Sequence, residues 1–271
     1  MPHFKYLPRK LTDTMKVALF QMDLAWENKQ ANFIKVESLM EKIKDKNIDL
    51  VILPELFSTG YTMNSDSLAE DIRGETFQFL SHVAQKYNLN ILGSLIEKKG
   101  DTPRNSAIVI NNKGALIAHY SKIHLPKFTD EVNHFAAGKE LSLFEVKSDT
   151  IGITICYDVR FPELFRMLSE KGAQCIITIA SWPVERIQHW DLLLRARALE
   201  NQLFVIGVNR AGVSPSGTYP GHSKIIDPLG NILVEAPEKE DNVVYELDFS
   251  EVDRIRKELP IQDDRKLKIS F

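Results

Sequence analysis

The chain has 271 residues, enough to bury a large α/β core without disulfides or metals, and its 34 Lys and Arg against 37 Asp and Glu leave a net charge of −3. With no basic block, nucleic acid is not the expected partner. No apolar stretch reaches the roughly 18 residues of a membrane span, the start of the chain lacks the apolar core of a signal peptide, and two cysteines, Cys156 and Cys175, are too few for a disulfide scaffold, so a reducing cytoplasm is expected.

Residues 1–14 read as an N-terminal extension, poorly ordered, ahead of MKVALFQMD, and residues 15–271 as one domain. A strand is predicted at 17–21, then a helix at 29–46 whose Phe33, Val36, Met40 and Ile43 fall on one face. A strand at 50–53, a helix at 75–87 and strands at 91–96, 106–110 and 115–120 follow. The strand at 151–156 leads into a helix at 161–171, the strand at 175–179 into a helix at 186–201. Strands at 204–208, 223–226, 232–235 and 243–247 and a helix at 250–258 complete the chain. DPLGN, at 227–231, marks a β-hairpin turn. The alternation predicts an α/β fold with helices covering mixed sheets.

Three positions stand out. Cys156 ends an apolar strand and is followed by polar residues, so it is either a small buried hydrophobe or a nucleophile. Strand ends are where sites form in α/β folds, and a helix after the strand would turn its N-terminal dipole towards the sulfur and favour thiolate. Cys175, inside GAQCIITIA, reads as core. Glu55, just past the strand at 50–53, is either a solvated loop acid or a semi-buried acid suited to proton transfer. Lys122 follows the strand at 115–120 and is either a surface charge or a fixed cation. His124, two residues on, offers a rival Cys–His dyad. The seven histidines show no metal-ligand spacing, and no glycine-rich phosphate loop is present, so neither a metal nor another cofactor is expected.

Glu55 in LPELF, Lys122 in SKIHLPK and Cys156 in ICYDVRFPE, in that order, resemble the nitrilase superfamily of carbon–nitrogen hydrolases. The resemblance continues through ASWPVERIQHWDLLLRARALENQLFVIGVNRAG and GHSKIIDPLGN and omits only residues 1–14. It implies a four-layer αββα sandwich of mixed sheets flanked by helices, dimerised through a helical face at 161–171 and 186–201. PELFSTGYTM, DEVNHFAAG and ASWPVERIQHW are most similar to the ω-amidase branch, which hydrolyses the terminal amide of 2-oxo acid amides such as 2-oxoglutaramate. A second glutamate of related amidases falls on Glu131.

A neutral thiol is a weak nucleophile at pH 7, so the expected division of labour gives Cys156 the attack, Glu55 the proton, and Lys122 with the Tyr157 backbone N–H the developing oxyanion. The substrate's carboxylate then needs a cation, for which Arg186 is the candidate, and Tyr61, Phe128 and Trp182 are candidate pocket walls. The expected partner is a small amide. An N-carbamoyl amino acid amidohydrolase, a nitrilase and a non-catalytic binding relative are the alternatives. The tetrapeptide PELF occurs twice, so Glu55 and Glu163 share local sequence and differ only in position.

Overall fold

The computed structural model describes residues 14–267; of the extension expected at 1–14, residues 1–13 lie outside the described residues. In chain order the strands are β1 (Met15–Gln21), β2 (Leu50–Ile52), β3 (Asn90–Glu97), β4 (Arg104–Ile110), β5 (Leu116–Ser121), β6 (Leu143–Val146), β7 (Asp149–Ile155), β8 (Cys175–Ala180), β9 (Phe204–Asn209), β10 (Ala211–Ser214), β11 (Gly217–Pro220), β12 (Lys224–Ile226), β13 (Ile232–Glu235) and β14 (Asp241–Leu247). The helices are α1 (Lys29–Glu41), α2 (Ser65–Leu68), α3 (Glu75–Tyr87), α4 (Glu131–His134), α5 (Pro162–Glu170), α6 (Ile187–Asn201) and α7 (Ser250–Glu258).

Two six-stranded mixed sheets form the body, in the orders β14-β1-β2-β3-β4-β5 and β13-β12-β9-β8-β7-β6. Each has a parallel centre, β1-β2-β3 in one and β7-β8-β9 in the other, with antiparallel strands outside it. Met15, Val17 and Leu19 of β1 join the layer between the sheets together with Ile151, Ile153 and Ile155 of β7. The alternate residues Ala18 and Phe20 pack with Phe33, Val36 and Met40 of α1 and Leu80 and Val83 of α3. Burial on both faces explains why these strands read as continuous apolar runs rather than alternating ones. Each fully buried Leu, Ile or Val contributes about 1.5–3 kcal/mol. On the far side α5 and α6 cover the second sheet through Leu164, Phe165, Leu168, Trp190 and Leu194, which completes the αββα sandwich. Gly207 lets α6 approach β9: a Cβ there would stand 2.4 Å from the Leu194 side chain and 2.7 Å from Trp190.

The predicted elements differ from the observed ones mainly at their ends. The helix expected over 29–46 stops at Glu41; a separate 3-10 turn, Lys44–Lys46, follows and closes on Asn47 in the left-handed region. The helix expected from 161 begins at Pro162, a residue suited to the first helical position because it has no N–H to leave unpaired. The strand at 151–156 ends one residue short, at Ile155. DPLGN does join the antiparallel β12 and β13, with Asp227 Oδ1 accepting the Leu229 and Asn231 backbone N–H groups. The short β6, the β10–β11 hairpin, α2 and α4 have no counterpart among the predicted elements.

One polar group inside the first sheet makes stability depend on pH. Glu97, at the end of β3, accepts from Ser106 Oγ at 2.6 Å and lies 2.7 Å from His119 Nε2. Burial alone would raise its pKa, but the His119 and Ser106 hydrogen bonds outweigh burial and hold it below the ordinary carboxylate value. A carboxyl lowered on folding adds stability above its unfolded pKa, near 4.3 by the usual reference, and loses it as pH falls through the folded value. Glu97→Gln is therefore expected to lower the Tm near neutral pH, with a difference from the parent protein that shrinks on acidification to about pH 3. Thermal unfolding of both proteins across this range measures it; a difference that grows in acid would contradict the assignment.

Candidate active site

The strand ends of both sheets supply the site. Glu55 stands three residues past β2, Lys122 directly follows β5, Cys156 directly follows β7 and Ser181 directly follows β8. Because β5 pairs antiparallel with β4, and β4 with β3, the ends of β2 and β5 lie at one edge of the first sheet. The ends of the parallel β7 and β8 supply the second sheet's contribution.

Lys122 is nearly inaccessible, and Glu55 and Glu131 are fully buried around it. Its Nζ lies 3.0 Å from Glu55 Oε1 and 2.9 Å from each oxygen of Glu131. The main chain at Lys122 is pinned on both sides, its N–H donating to Asn105 O at 2.9 Å and its carbonyl accepting from Gly138 N at 2.8 Å. Gly138 has no room for a side chain, since a Cβ would stand 2.1 Å from Ser121 O. Glu55 is held by three donors: besides Lys122, Asn105 Nδ2 reaches Oε1 at 2.7 Å and the Ser181 N–H reaches Oε2 at 2.8 Å. Tyr61 Oη donates to Glu131 Oε2 at 3.0 Å.

The charges in this cluster decide one another's protonation. Burial by itself would lower the Lys122 pKa, but the charges of Glu131 and Glu55 outweigh it and hold the ammonium well above the usual lysine range. Burial, with the Glu55 charge adding to it, raises the Glu131 carboxyl above its ordinary value despite Lys122 and Tyr61. Burial also pushes the Cys156 thiol well up, and the Glu55 charge and the thiol's hydrogen bond to Glu55 push the same way, against Lys122. This corrects the expectation of a dipole-stabilised thiolate. Cys156 opens a 3-10 turn, Cys156–Arg160, and α5 starts only at Pro162. Burial and the neighbouring Glu55 therefore disfavour a thiolate at Cys156.

Cys156 has φ of 49°, a left-handed conformation that costs a non-glycine residue energy and marks a geometry imposed by its surroundings. Asp158 imposes it. Its fully buried carboxylate accepts from the Ile155 N–H at 3.0 Å and from Tyr120 Oη at 2.7 Å, and it also takes the His124 N–H at 3.0 Å. One side chain thus ties the turn of Cys156 to the segment after Lys122. His124 Nδ1 is 2.8 Å from the same carboxylate, and its ring stacks on Phe161 at 3.6 Å. Those contacts spend the histidine on structure and remove the rival Cys–His dyad. Cys175 lies buried in β8, where burial pushes its thiol upward. Glu163 is exposed in the first turn of α5, unlike buried Glu55.

A small pocket, about 70 Å³ in volume, opens onto Cys156 and Lys122. Tyr61, Phe128, Tyr157, Trp182 and Arg186, all singled out from the sequence, line it, and so do Arg160, Ser181, Ser216 and Tyr219, which were not. Trp182 is held by its Nε1–H bond to Arg186 O at 2.7 Å, whereas Phe128 is 60% exposed at the rim. Arg160 lies over the faces of Trp182 (4.8 Å) and Tyr157 (5.6 Å), and Arg186 over Phe128 (5.0 Å). Neither guanidinium has a carboxylate partner among the described residues. Burial, together with the like charge of Arg186, pulls Arg160 below its ordinary value. Two cations thus rest on aromatic faces at the pocket with no carboxylate beside them among the described residues. Arg160 was within reach of sequence reasoning, four residues past Cys156. Asn105 and Tyr219 carried no such signal.

Elsewhere Asp191, His222 and Glu235 have the closeness of metal ligands. The Lys224 ammonium already serves their charge, 2.5 Å from Asp191 Oδ1 and 2.8 Å from Glu235 Oε1.

Known proteins are similar to this chain over most of its length. The family described as carbon-nitrogen hydrolase matches residues 16–257. A protein named "Hydrolase in agr operon" from Staphylococcus aureus is 35% identical over 259 residues, 94% of this chain and 99% of its own. A 2-oxoglutaramate amidase of Bacillus subtilis is 36% identical over 250 residues, 92% of this chain and 96% of its own. The crystal structure of a CN-hydrolase superfamily protein from Xanthomonas campestris, with an arsenic adduct in its active site, superposes with a TM-score of 0.90 at 31% identity, covering 96% of this chain and 100% of that one. With its sandwich and its match over residues 16–257, the chain belongs to the carbon–nitrogen hydrolases, enzymes of the nitrilase superfamily that cleave carbon–nitrogen bonds other than peptide bonds.

Proposed function

We propose that the protein is an ω-amidase, hydrolysing the terminal amide of a small 2-oxo acid amide such as 2-oxoglutaramate to the acid and ammonia. The observation that carries this reading is the pairing, in one pocket, of a buried Glu55–Lys122–Glu131 cluster beside a thiol with two arginines that have no carboxylate partner. A carboxylate-bearing amide satisfies both halves. The name of the Bacillus subtilis relative agrees with it.

The chemistry follows from the protonation states. Cys156 begins as a thiol, so its proton passes to Glu55 as sulfur attacks the amide carbonyl. The negative charge that grows on the carbonyl oxygen is met by the Lys122 ammonium and by the Tyr157 N–H. Glu55 returns the proton to nitrogen, the C–N bond breaks, and ammonia leaves a thioester. Water then attacks, giving its proton to Glu55, and the acid departs as the thiol re-forms. Glu131 keeps Lys122 charged and placed while Glu55 is transiently neutral. Arg160 and Arg186 hold the distant carboxylate, and Trp182 and Phe128 shape the apolar stretch between. The same chemistry needs reduced sulfur, which supports placement in a reducing cytoplasm. The exposed leucines of α6, Leu192 and Leu199, with the exposed Leu229 and Leu259 lining a groove beside Leu199, support a homodimer through this helical face.

An ammonia-release screen tests the reading. 2-Oxoglutaramate and 2-oxosuccinamate should turn over with kcat/KM well above butyramide, which lacks the carboxylate, and above N-carbamoyl amino acids and nitriles; Cys156→Ala should abolish release and Cys175→Ala preserve it. A preference for butyramide would remove the two arginines from substrate binding, and retained turnover in Cys156→Ala would remove the nucleophile. The two copies of PELF provide a second test. Glu55→Gln should lower kcat by about 10²-fold or more, with only a small change in Tm because Lys122 keeps Glu131. Glu163→Gln, on an exposed helix start, should leave kcat near that of the parent; the reverse outcome would assign the base to the other copy. Sedimentation equilibrium at micromolar concentration should return the mass of two chains, and a stable single-chain mass would contradict the dimer.

A further inference from the structure

Arg210 is a buried cation that the chemistry above leaves unused. It follows β9 directly, and its side chain is fully buried. Its backbone is fixed where the two sheets meet, with its N–H donating to Ala180 O at 3.1 Å and the next N–H, of Ala211, to Met22 O at 2.9 Å. The guanidinium makes only long hydrogen bonds, each 3.3 Å, to Ala211 O, Ser214 Oγ and Leu24 O. Its one carboxylate neighbour among the described residues, Asp23, is 3.7 Å away and half exposed. An aromatic face also meets the charge: the guanidinium carbon lies 4.4 Å from the centre of the Tyr219 ring. Burial pulls Arg210 below its ordinary value, the sign of a cation that water does not reach.

Tyr219 belongs to the β10–β11 hairpin and lines the Cys156 pocket together with Ser216. Its hydroxyl is 2.8 Å from Ser216 Oγ, and Ser216 Oγ is 3.0 Å from Ser214 Oγ, which in turn accepts from Arg210. A closed circuit results: guanidinium to Ser214, to Ser216, to the Tyr219 hydroxyl, and back through the ring face to the guanidinium. Elsewhere the hairpin is exposed, with Val213 at 73%. Two strands of four residues cannot hold a side chain in register by themselves, so the circuit fixes this wall of the pocket.

We propose that Arg210 is a positioning residue for substrate recognition, holding Tyr219 and Ser216 as a hydroxyl-bearing wall against the acyl chain of the bound amide. The inference rests on the amide-hydrolase reading of the pocket. It predicts an effect on binding and not on the chemistry at sulfur, because Arg210 touches neither Cys156 nor Lys122. Arg210→Met, which keeps length and removes charge, should raise KM for 2-oxoglutaramate about tenfold, the scale of a desolvated cation–π contact. Its kcat should stay within a few-fold of the parent, and iodoacetamide, too small to need the wall, should alkylate Cys156 at the parent rate. Arg210→Lys, which keeps a cation over the ring, should recover part of the KM. Tyr219→Leu, which leaves the arginine's hydrogen bonds to backbone intact, should reproduce the KM effect and serves if Arg210→Met does not fold. A KM unchanged in Tyr219→Leu, or a fall in kcat and in alkylation rate together with unchanged KM, would make Arg210 a brace of the fold only and overturn the proposal. Absence of ammonia release from every amide by the parent protein would overturn the amide-hydrolase reading and this proposal with it, whereas normal parent turnover with unchanged KM in the variants overturns this proposal alone.

Discussion

The buried Lys122 ammonium, closed between Glu55 and Glu131, is the constraint on which the site depends. An ammonium taken out of water alone costs several kcal/mol, so it must bring compensating carboxylates and their hydrogen-bond donors with it. That requirement places the end of β5, the loop after β2 and the short helix α4 around one nitrogen. It also leaves the cluster with one more negative than positive charge when both carboxylates are ionised. A thiolate beside it would add another, which the surroundings of Cys156 disfavour. The interaction that makes the lysine tolerable in the core also decides how the cysteine can react.

The sandwich brings the parts of the site together by a simple rule. Parallel strands in both sheets end in loops at the same edge, and functional side chains gather at such ends because the backbone there is free to turn. Glu55 and Lys122 come from one sheet, Cys156 and Ser181 from the other; Asn105 braces the first pair, while the Ser181–Glu55 bond and Asp158 link the two sheets. Asn105 is the shared partner of Glu55 and of the Lys122 main chain, while Asp158 joins the turn of Cys156 to His124 and Tyr120. A small shift between the two sheets would break the Ser181–Glu55 and Tyr120–Asp158 bonds, which makes the packed apolar layer between them part of the site's geometry.

Paired and unpaired arginines divide the rest of the pocket by role. Arg160 and Arg186 rest on aromatic faces with no carboxylate among the described residues, so their charge remains available at the mouth. Arg210 is fully buried, and its charge is absorbed by the Tyr219 ring and main-chain oxygens. Exposure alone separates a cation that can meet a substrate from one that can only shape the wall.

Most strands and helices were legible in the sequence, because strands buried on both faces appear as apolar runs and the covering helices keep a one-sided stripe. The short β6 and the β10–β11 hairpin were not, since four-residue strands with glycine, serine and proline leave too little pattern. Glu55, Lys122 and Cys156 could be singled out as polar residues just beyond apolar runs, and Arg186, Trp182, Tyr61 and Phe128 do line the pocket. Arg160 stood beside the nucleophile in sequence without being recognised as a cation of the pocket. Asn105 and the Ser181 N–H lie 50 and 126 residues from the Glu55 they hold, and no local signal marks them. The environment of Cys156 is another such case. A strand followed by a helix suggests a dipole and a thiolate, whereas burial and a carboxylate contributed from the other sheet raise the thiol. The sequence by itself determined which segments are strands and helices and which residue types stand at their ends, because those follow from local periodicity. Only the tertiary structure decided which of those ends meet and what charge each group carries, because both depend on the distances and the exclusion of water that packing two distant sheets creates.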